Sequence, residues 1–348
     1  MLIRSAKFVL ILLLVALSFV AAAMLGAGKK SPATTLFKVP LGLDPEVSPW
    51  IPADNPLTPE KVELGKKLFF DPRLSVDRNV SCATCHHPNF GFSNGAPVAA
   101  GFKGQVGNRN SPTVLNRLYS KAQFWDGRAA SLEAQALGPV QNPVEMASTL
   151  PAMISALDKI AGYKPDFEKA FGSAEITADR VAKAIASFER TVLSGNSAFD
   201  RFQAGDTNAI SESAKRGFAV FMAKGNCAQC HPLPNFTDEE YHNLGVGMNK
   251  PNPDLGRYKV TKNEEDKGAF KTPTLRDIAN TYPYLHDGSE KTLLAVVEFY
   301  DRGGIRNPHL EEKMKPLELT KKEQADLVEF LKTLTGEPLK VTEPALPK

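Results

Sequence analysis

Apolar residues recur along this chain at helical rather than strand spacing. Val181, Ile185, Phe188 and Val192 lie three or four apart and mark one face of a helix. Near the end, Thr320-Lys321-Lys322-Glu323 forms a capping box, and Leu327, Leu331 and Leu334 behind it predict a helix with one buried stripe. Thr58-Pro59-Glu60 reads as an N-cap followed by proline at the first helical position. An amphipathic helix should follow through Leu64-Gly65-Lys66-Lys67-Leu68-Phe69. A similar helix should open at Ser211 and run through Arg216-Gly217-Phe218-Ala219-Val220-Phe221. Two further capped starts are Ser131-Leu132-Glu133-Ala134 and Thr292-Leu293-Leu294-Ala295. No convincing apolar–polar alternation argues for strands. Residues 338–348 hold three prolines and no periodicity, so a loose tail is expected. The first 30 residues differ from all of this. Phe8 to Leu25 is apolar apart from Ser18, follows Arg4 and Lys7, and ends near an Ala21-Ala22-Ala23 cleavage site, the pattern of an export signal. If retained, the stretch is just long enough to span a bilayer as an anchor.

The predicted elements occur twice. Gly65 and Phe69 correspond to Gly217 and Phe221. Ser111-Pro112-Thr113-Val114-Leu115 aligns with Thr272-Pro273-Thr274-Leu275-Arg276. In both copies an Asp-Gly pair begins 14 positions after the proline, at Asp126-Gly127 and Asp287-Gly288, and a capped helix start follows. An internal duplication of this length predicts two similar helical domains. The expected boundaries are a signal or anchor over 1–30 and a linker over 31–54. Domains over 55–204 and 205–337 should follow, meeting at a turn-rich junction near Gly205, and then the tail.

The chemistry sits in the four cysteines, all of which fall in two copies of one motif: Cys82-Ala-Thr-Cys85-His86 and Cys227-Ala-Gln-Cys230-His231. C-x-x-C-H attaches a c-type haem, through two thioethers and a histidine that binds the iron. Paired C-x-x-C motifs also build four-cysteine zinc sites or redox disulfides. A histidine after both copies, with no spare cysteine, argues against these. The expected fold class is therefore mostly α. Two cytochrome c-type helical domains with long loops each carry one covalent haem c, which supplies much of each core. Bacteria attach such haems outside the cytoplasmic membrane, so a periplasmic protein is expected, soluble or tethered by a retained N-terminus. Charge adds little. The chain has 42 basic and 39 acidic residues, and without Arg4 and Lys7 the balance is 40 to 39, or +1. Nothing in this balance argues for nucleic acid as a partner.

The duplication lets the two halves be compared position by position. Trp125 precedes the first Asp-Gly, and His286 precedes the second. Fourteen residues beyond these lie Pro139 and Tyr300. Proline has no side-chain donor, whereas a phenol ligates iron. One iron is thus expected to be open on its distal side and the other closed by Tyr300, with Met248 as the alternative ligand. His286 should be a hydrogen-bonding neighbour rather than a ligand, and His87, His242 and His309 should be surface or loop residues. An open iron binds peroxide; a closed one passes electrons.

At this point the chain resembles a known family, the bacterial di-haem cytochrome c peroxidases together with their relative MauG. The resemblance covers roughly Pro52 to Leu334. It rests on Arg109-Asn110-Ser111-Pro112-Thr113, Gln123-Phe124-Trp125-Asp126-Gly127-Arg128 and Gly138-Pro139-Val140-Gln141-Asn142-Pro143-Val144-Glu145-Met146. The second half adds Phe270-Lys271-Thr272-Pro273-Thr274-Leu275-Arg276 and Tyr284-Leu285-His286-Asp287-Gly288. It implies a peroxidatic haem at His86, an electron-transfer haem at His231 and Trp125 as the bridge between them. It also implies Gln135 and Glu145 in the distal pocket, and an inter-haem calcium held by Asn110 and the backbones of Thr281 and Pro283. Glu145 would move the proton that peroxide cleavage requires; without the resemblance it reads rather as a solvated loop glutamate after Pro143. Two positions depart from the typical peroxidase and resemble MauG. Phe102 stands where a distal histidine is usual, sixteen residues past His86, and Tyr300 stands where methionine is usual.

Three functions follow. The first is a peroxidase that reduces hydrogen peroxide with electrons from a small c-type cytochrome or cupredoxin. The second is a MauG-like oxidase acting on side chains of a protein substrate. Phe102 and Tyr300 favour it, but Gly225 replaces the surface tryptophan that MauG carries before its second haem motif. The third is a non-catalytic electron carrier, which Pro139 and Phe102 oppose.

Overall fold

A computed structural model of the protein describes residues 38–348, so the apolar N-terminal stretch lies outside it. Among the described residues, no helix is long and apolar enough to cross a membrane. The capping residues named above open real helices. The side chains of Thr58, Ser131, Ser211, Thr292 and Thr320 accept hydrogen bonds from the backbone N–H of Lys61, Ala134, Ala214, Ala295 and Glu323. Each bond satisfies one donor that the first helical turn leaves free.

The first half holds α1 (Pro59–Phe70), the one-turn α2 (Cys82–Cys85) and α3 (Leu132–Gln141), followed by α4 (Leu150–Asp158), α5 (Tyr163–Phe171) and α6 (Ala178–Glu189). The second holds α7 (Ala198–Gln203), α8 (Glu212–Met222), the one-turn α9 (Tyr258–Thr261), α10 (Leu293–Asp301) and α11 (Lys321–Lys332). α7 was not anticipated. A capping box between Ser197 and Asp200 starts it, and its Phe199 joins the second core. Regular strand structure among the described residues amounts to β1 (Tyr241–His242) paired antiparallel with β2 (Phe270–Lys271).

One helix crossing organises each half, and the duplication is visible in it. α1 crosses α6 at Gly65, and α8 crosses α11 at Gly217. A Cβ on Gly65 would sit 1.8 Å from the carbonyl oxygen of Ala184; one on Gly217 would sit 1.9 Å from that of Asp326. Next to each crossing an aromatic pair locks the helices: Phe69 on Phe188 at 5.2 Å, and Phe221 on Phe330 at 5.1 Å. Both clashes are with backbone, which cannot move aside as a side chain can. Gly65→Ala and Gly217→Ala should therefore each destabilise the holo-protein by about 1–3 kcal/mol. A denaturant midpoint equal to that of the parent would refute the close crossing.

The loops repeat as well. Asn116 and Asp277, Phe124 and Leu285, and Gly127 and Gly288 adopt positive φ at matching positions. Gln123 bridges to Ala129 as Tyr284 bridges to Glu290. Each pair is offset by 161 residues, the spacing of Pro112 and Pro273.

The C-terminal tail departs from expectation. It has no regular structure, but it is not loose. Residues beyond α11 turn back onto the first domain. Leu339 and Val341 pack on the first core. Gly195 O accepts from Glu337 N, Pro347 O accepts from Arg73 Nη1, and Lys348 O accepts from Gly162 N. Prolines exclude a helix there but leave the carbonyl acceptors and the apolar side chains free to dock.

Candidate functional site

Each C-x-x-C-H lies in a short turn at the mouth of its core. The four thiols are unpaired, so neither motif is a disulfide. Burial pushes the thiol of Cys85 up to about 11 and that of Cys227 up to about 12. A histidine directly after each cysteine pair, held by its ring nitrogen, fits thioether attachment of a haem better than a four-cysteine zinc site. Both motif histidines are neutral and oriented. Burial lowers their pKa, and Nδ1 lies 3.2 Å from Phe92 O in His86 and 2.8 Å from Phe236 O in His231. With Nδ1–H donating to a carbonyl, Nε2 is left as the ligand atom.

The second motif opens into a cavity of ≈ 220 Å³. Cys227, Cys230 and His231 line it together with Tyr300 and an apolar wall that includes Leu293 and Val297. This is the donor set and the apolar shell that a covalent haem requires. Burial pushes the Tyr300 phenol up. It would therefore ionise only against a positive charge, which a ferric iron would supply. Met248 does not line the cavity, whereas Met314 does.

Around the first motif the decisive feature is a carboxylate. Glu145 follows α3 in a turn, and its Oε1 accepts a hydrogen bond of 2.7 Å from Asn142 Nδ2. Its carbonyl accepts from Phe102 N at 2.7 Å. Gly101 makes this approach feasible, because a Cβ there would lie 2.3 Å from Val144 O. The 100–105 segment thus braces the Glu145 turn, and Phe102 contributes its backbone to it. Glu145 is near enough to the motif for its charge to act on Cys82 and Cys85. Burial raises its pKa above the usual carboxylate range, against the opposing effects of Asn142 and Arg128. Gln135 lies half-buried one turn into α3. Pro139, the counterpart of Tyr300, sits in the last turn of the same helix.

Trp125, from the first half of the chain, lines the second cavity. Its indole Nε1 donates to Asn110 O at 2.9 Å, and its ring lies edge-on to His286 at 6.5 Å. Asn110, Thr281 and Pro283 line the same cavity as Trp125. The Asn110 side chain is tied down through Nδ2 to the carbonyls of Ala96 and Pro97.

Comparison with known proteins fits this geometry. A family model described as di-haem cytochrome c peroxidase matches residues 59–208, and a cytochrome c model matches residues 214–335. The chain is 48% identical over 299 residues to the methylamine utilization protein MauG of Methylorubrum extorquens, covering 85% of this chain and 84% of that protein. It belongs to the di-haem cytochrome c peroxidase family. Another member, the cytochrome c551 peroxidase of Nitrosomonas europaea, is 42% identical, covering 85% of this chain and 86% of that one. A solved MauG-like protein associated with microbial copper homeostasis superposes with a TM-score of 0.75 at 31% identity, over 82% of this chain and 92% of that chain.

Within this di-haem scaffold, two histidines differ from expectation. His242 is no surface residue: it lines the second cavity between Asp238 Oδ2 at 2.9 Å and Glu311 Oε2 at 2.6 Å. Asp238 most of all, with Cys230 and Glu311, raises its pKa. His286 was expected to hydrogen-bond, but its ring instead stacks on Phe270 at 3.5 Å and 13°. Burial lowers it to about 4, so it is neutral beside Trp125. Sequence spacing gives no sign of either arrangement, because Glu311 lies 69 residues from His242 and the ring that His286 stacks on belongs to β2.

Proposed function

We propose that this di-haem enzyme is an exported peroxidase. It reduces hydrogen peroxide at the first haem with electrons entering through the second, from a small c-type cytochrome or cupredoxin. The observation that carries this reading is the asymmetry of the two sites. A braced, raised-pKa carboxylate lies beside the first motif, and a buried phenol faces the second. When bound, the haem irons supply the redox chemistry, in which two electrons and two protons convert peroxide to two waters. The protein's share is proton management. Asn142 holds Oε1 of Glu145, which leaves Oε2 to take a proton from the near peroxide oxygen and return it to the leaving one. Gln135 orients the peroxide. Trp125, anchored to Asn110 O, is the electron bridge; Asn110 and the Thr281 and Pro283 carbonyls are the residues that would hold a calcium ion, whose charge would tie the two halves together.

Steady-state turnover with peroxide and a reduced c-type cytochrome tests the reading. Saturable, peroxide-dependent oxidation of the cytochrome is expected; no oxidation with any small donor would sink it. Trp125→Phe should leave peroxide binding intact and slow electron delivery from the second haem, with both steps followed by stopped-flow absorbance. Blocked peroxide binding with normal inter-haem transfer would contradict the assignment.

A second reading, a MauG-like oxidase acting on a protein substrate, draws support from Phe102, Tyr300 and the 48% identity to MauG. Peroxide-dependent mass change in a partner protein, with no turnover of small donors, would favour it.

A further inference from the structure

The second cavity carries a buried positive charge that the protein alone does not balance. Arg117 and Lys271 both line it. Their side chains are 9% and 5% exposed, and one carboxylate, Glu239 at 7%, serves both. Lys271 Nζ lies 3.1 Å from Glu239 Oε2 and also donates to Ala122 O. Glu239 Oε1 already accepts from Ser120 Oγ at 2.9 Å, and Arg117 Nη1 stays 3.7 Å away from it. Arg117 Nε donates to Leu115 O, but its Nη2 is buried with no partner. The deficit shows in Lys271, which burial first, and then the Arg117 charge, lowers to about 8.

A buried guanidinium that shares its one carboxylate with a second buried cation is unfavourable. Arg117 does not flex out to water; the segment that bears it is pinned. Asn116 adopts positive φ and exchanges hydrogen bonds with Ser194, donating from Nδ2 to its carbonyl and accepting from its N–H. An anion in the cavity would both pair Nη2 and supply the negative charge that Glu239 has to share. The cavity is bounded by Cys227, Cys230 and His231, so its occupant is a covalent haem, whose ionised groups are two propionates.

We infer that Arg117, together with Lys271, binds a propionate of the second haem, and that a residue of the first domain thereby sets the potential of the haem attached to the other domain. This rests on the two-haem reading. The electrostatic consequence has a definite sign. A cation beside the haem favours the reduced state, which carries one positive charge fewer, and Glu239 opposes it. Arg117 is a positioning residue: it touches the rim of the haem, not the reacting atoms.

The test is a spectroelectrochemical titration of the holo-protein, reading the second haem by its low-spin absorbance. Arg117→Gln should lower the reduction equilibrium constant of that haem by roughly tenfold, which is about 59 mV for one electron. Arg117→Lys should restore most of the loss. Glu239→Gln should shift the potential upward. A merely structural role for Arg117 predicts lower stability with an unmoved potential, or shifts of the same sign in Arg117→Gln and Glu239→Gln; either result overturns the assignment. If Arg117→Gln does not fold, Glu239→Gln decides alone, an upward shift supporting the assignment and any other result refuting it. Haem quantification on the parent separates the two levels. One haem per chain sinks the two-haem reading, and with it the assignment. Two haems with unmoved potentials sink only the assignment.

Discussion

Glu145→Gln should slow peroxide cleavage by roughly 10²–10⁴ while peroxide still reaches the first haem. The substitution keeps the shape and the hydrogen bond from Asn142 but removes the proton acceptor on Oε2. Stopped-flow absorbance separates binding from cleavage, and a variant that turns over like the parent would end the acid–base assignment. The pH profile carries a second signature. The group must start as a carboxylate to take the first proton. Burial raises its pKa, so parent activity should fall as the pH drops through that raised value. Glu145→Gln should lack this acid limb.

Tyr300→Met should have the other large effect, on the second haem. Axial ligands move haem potentials across about 0.8 V. Exchanging an anionic oxygen for a thioether removes a preference for the ferric state, so the potential should rise. Tyr300→Phe should remove the ligand altogether and convert the low-spin electron paramagnetic resonance signal. If both variants keep the parent spectrum and potential, the ligand lies elsewhere, and Met314 on the cavity wall is the first residue to examine.

Local signals were readable before any coordinates. Thr58, Ser131, Ser211, Thr292 and Thr320 announce helix starts because a cap involves only neighbours within three positions. The haem motifs are five residues long, and the duplication shows itself by repeating. Gly65 and Gly217 could be matched to each other, but not explained, until the crossing helix came into view. What stayed hidden depends on residues far apart in sequence. Lys271 and Glu239 are 32 residues apart, and each finds Arg117 only through the fold. His242 looked like a loop residue because one of its two carboxylates, Glu311, lies 69 residues away. The tail looked loose because its partners, Arg73 and Gly162, lie far back along the chain in the first half.

That docked tail changes what counts as a unit. The first domain is discontinuous: its main body ends before α7, and its last piece is the C-terminal strand of chain that returns to Arg73 and Gly162. The second domain is in effect an insertion, tethered at both ends. Each tether raises the local concentration of one half around the other, and two tethers together restrict how far the halves drift apart on opening. Cutting the chain after α11 would turn this closed loop into an open one without touching either haem motif. The intact protein should then melt in one cooperative step, and the shortened one in two.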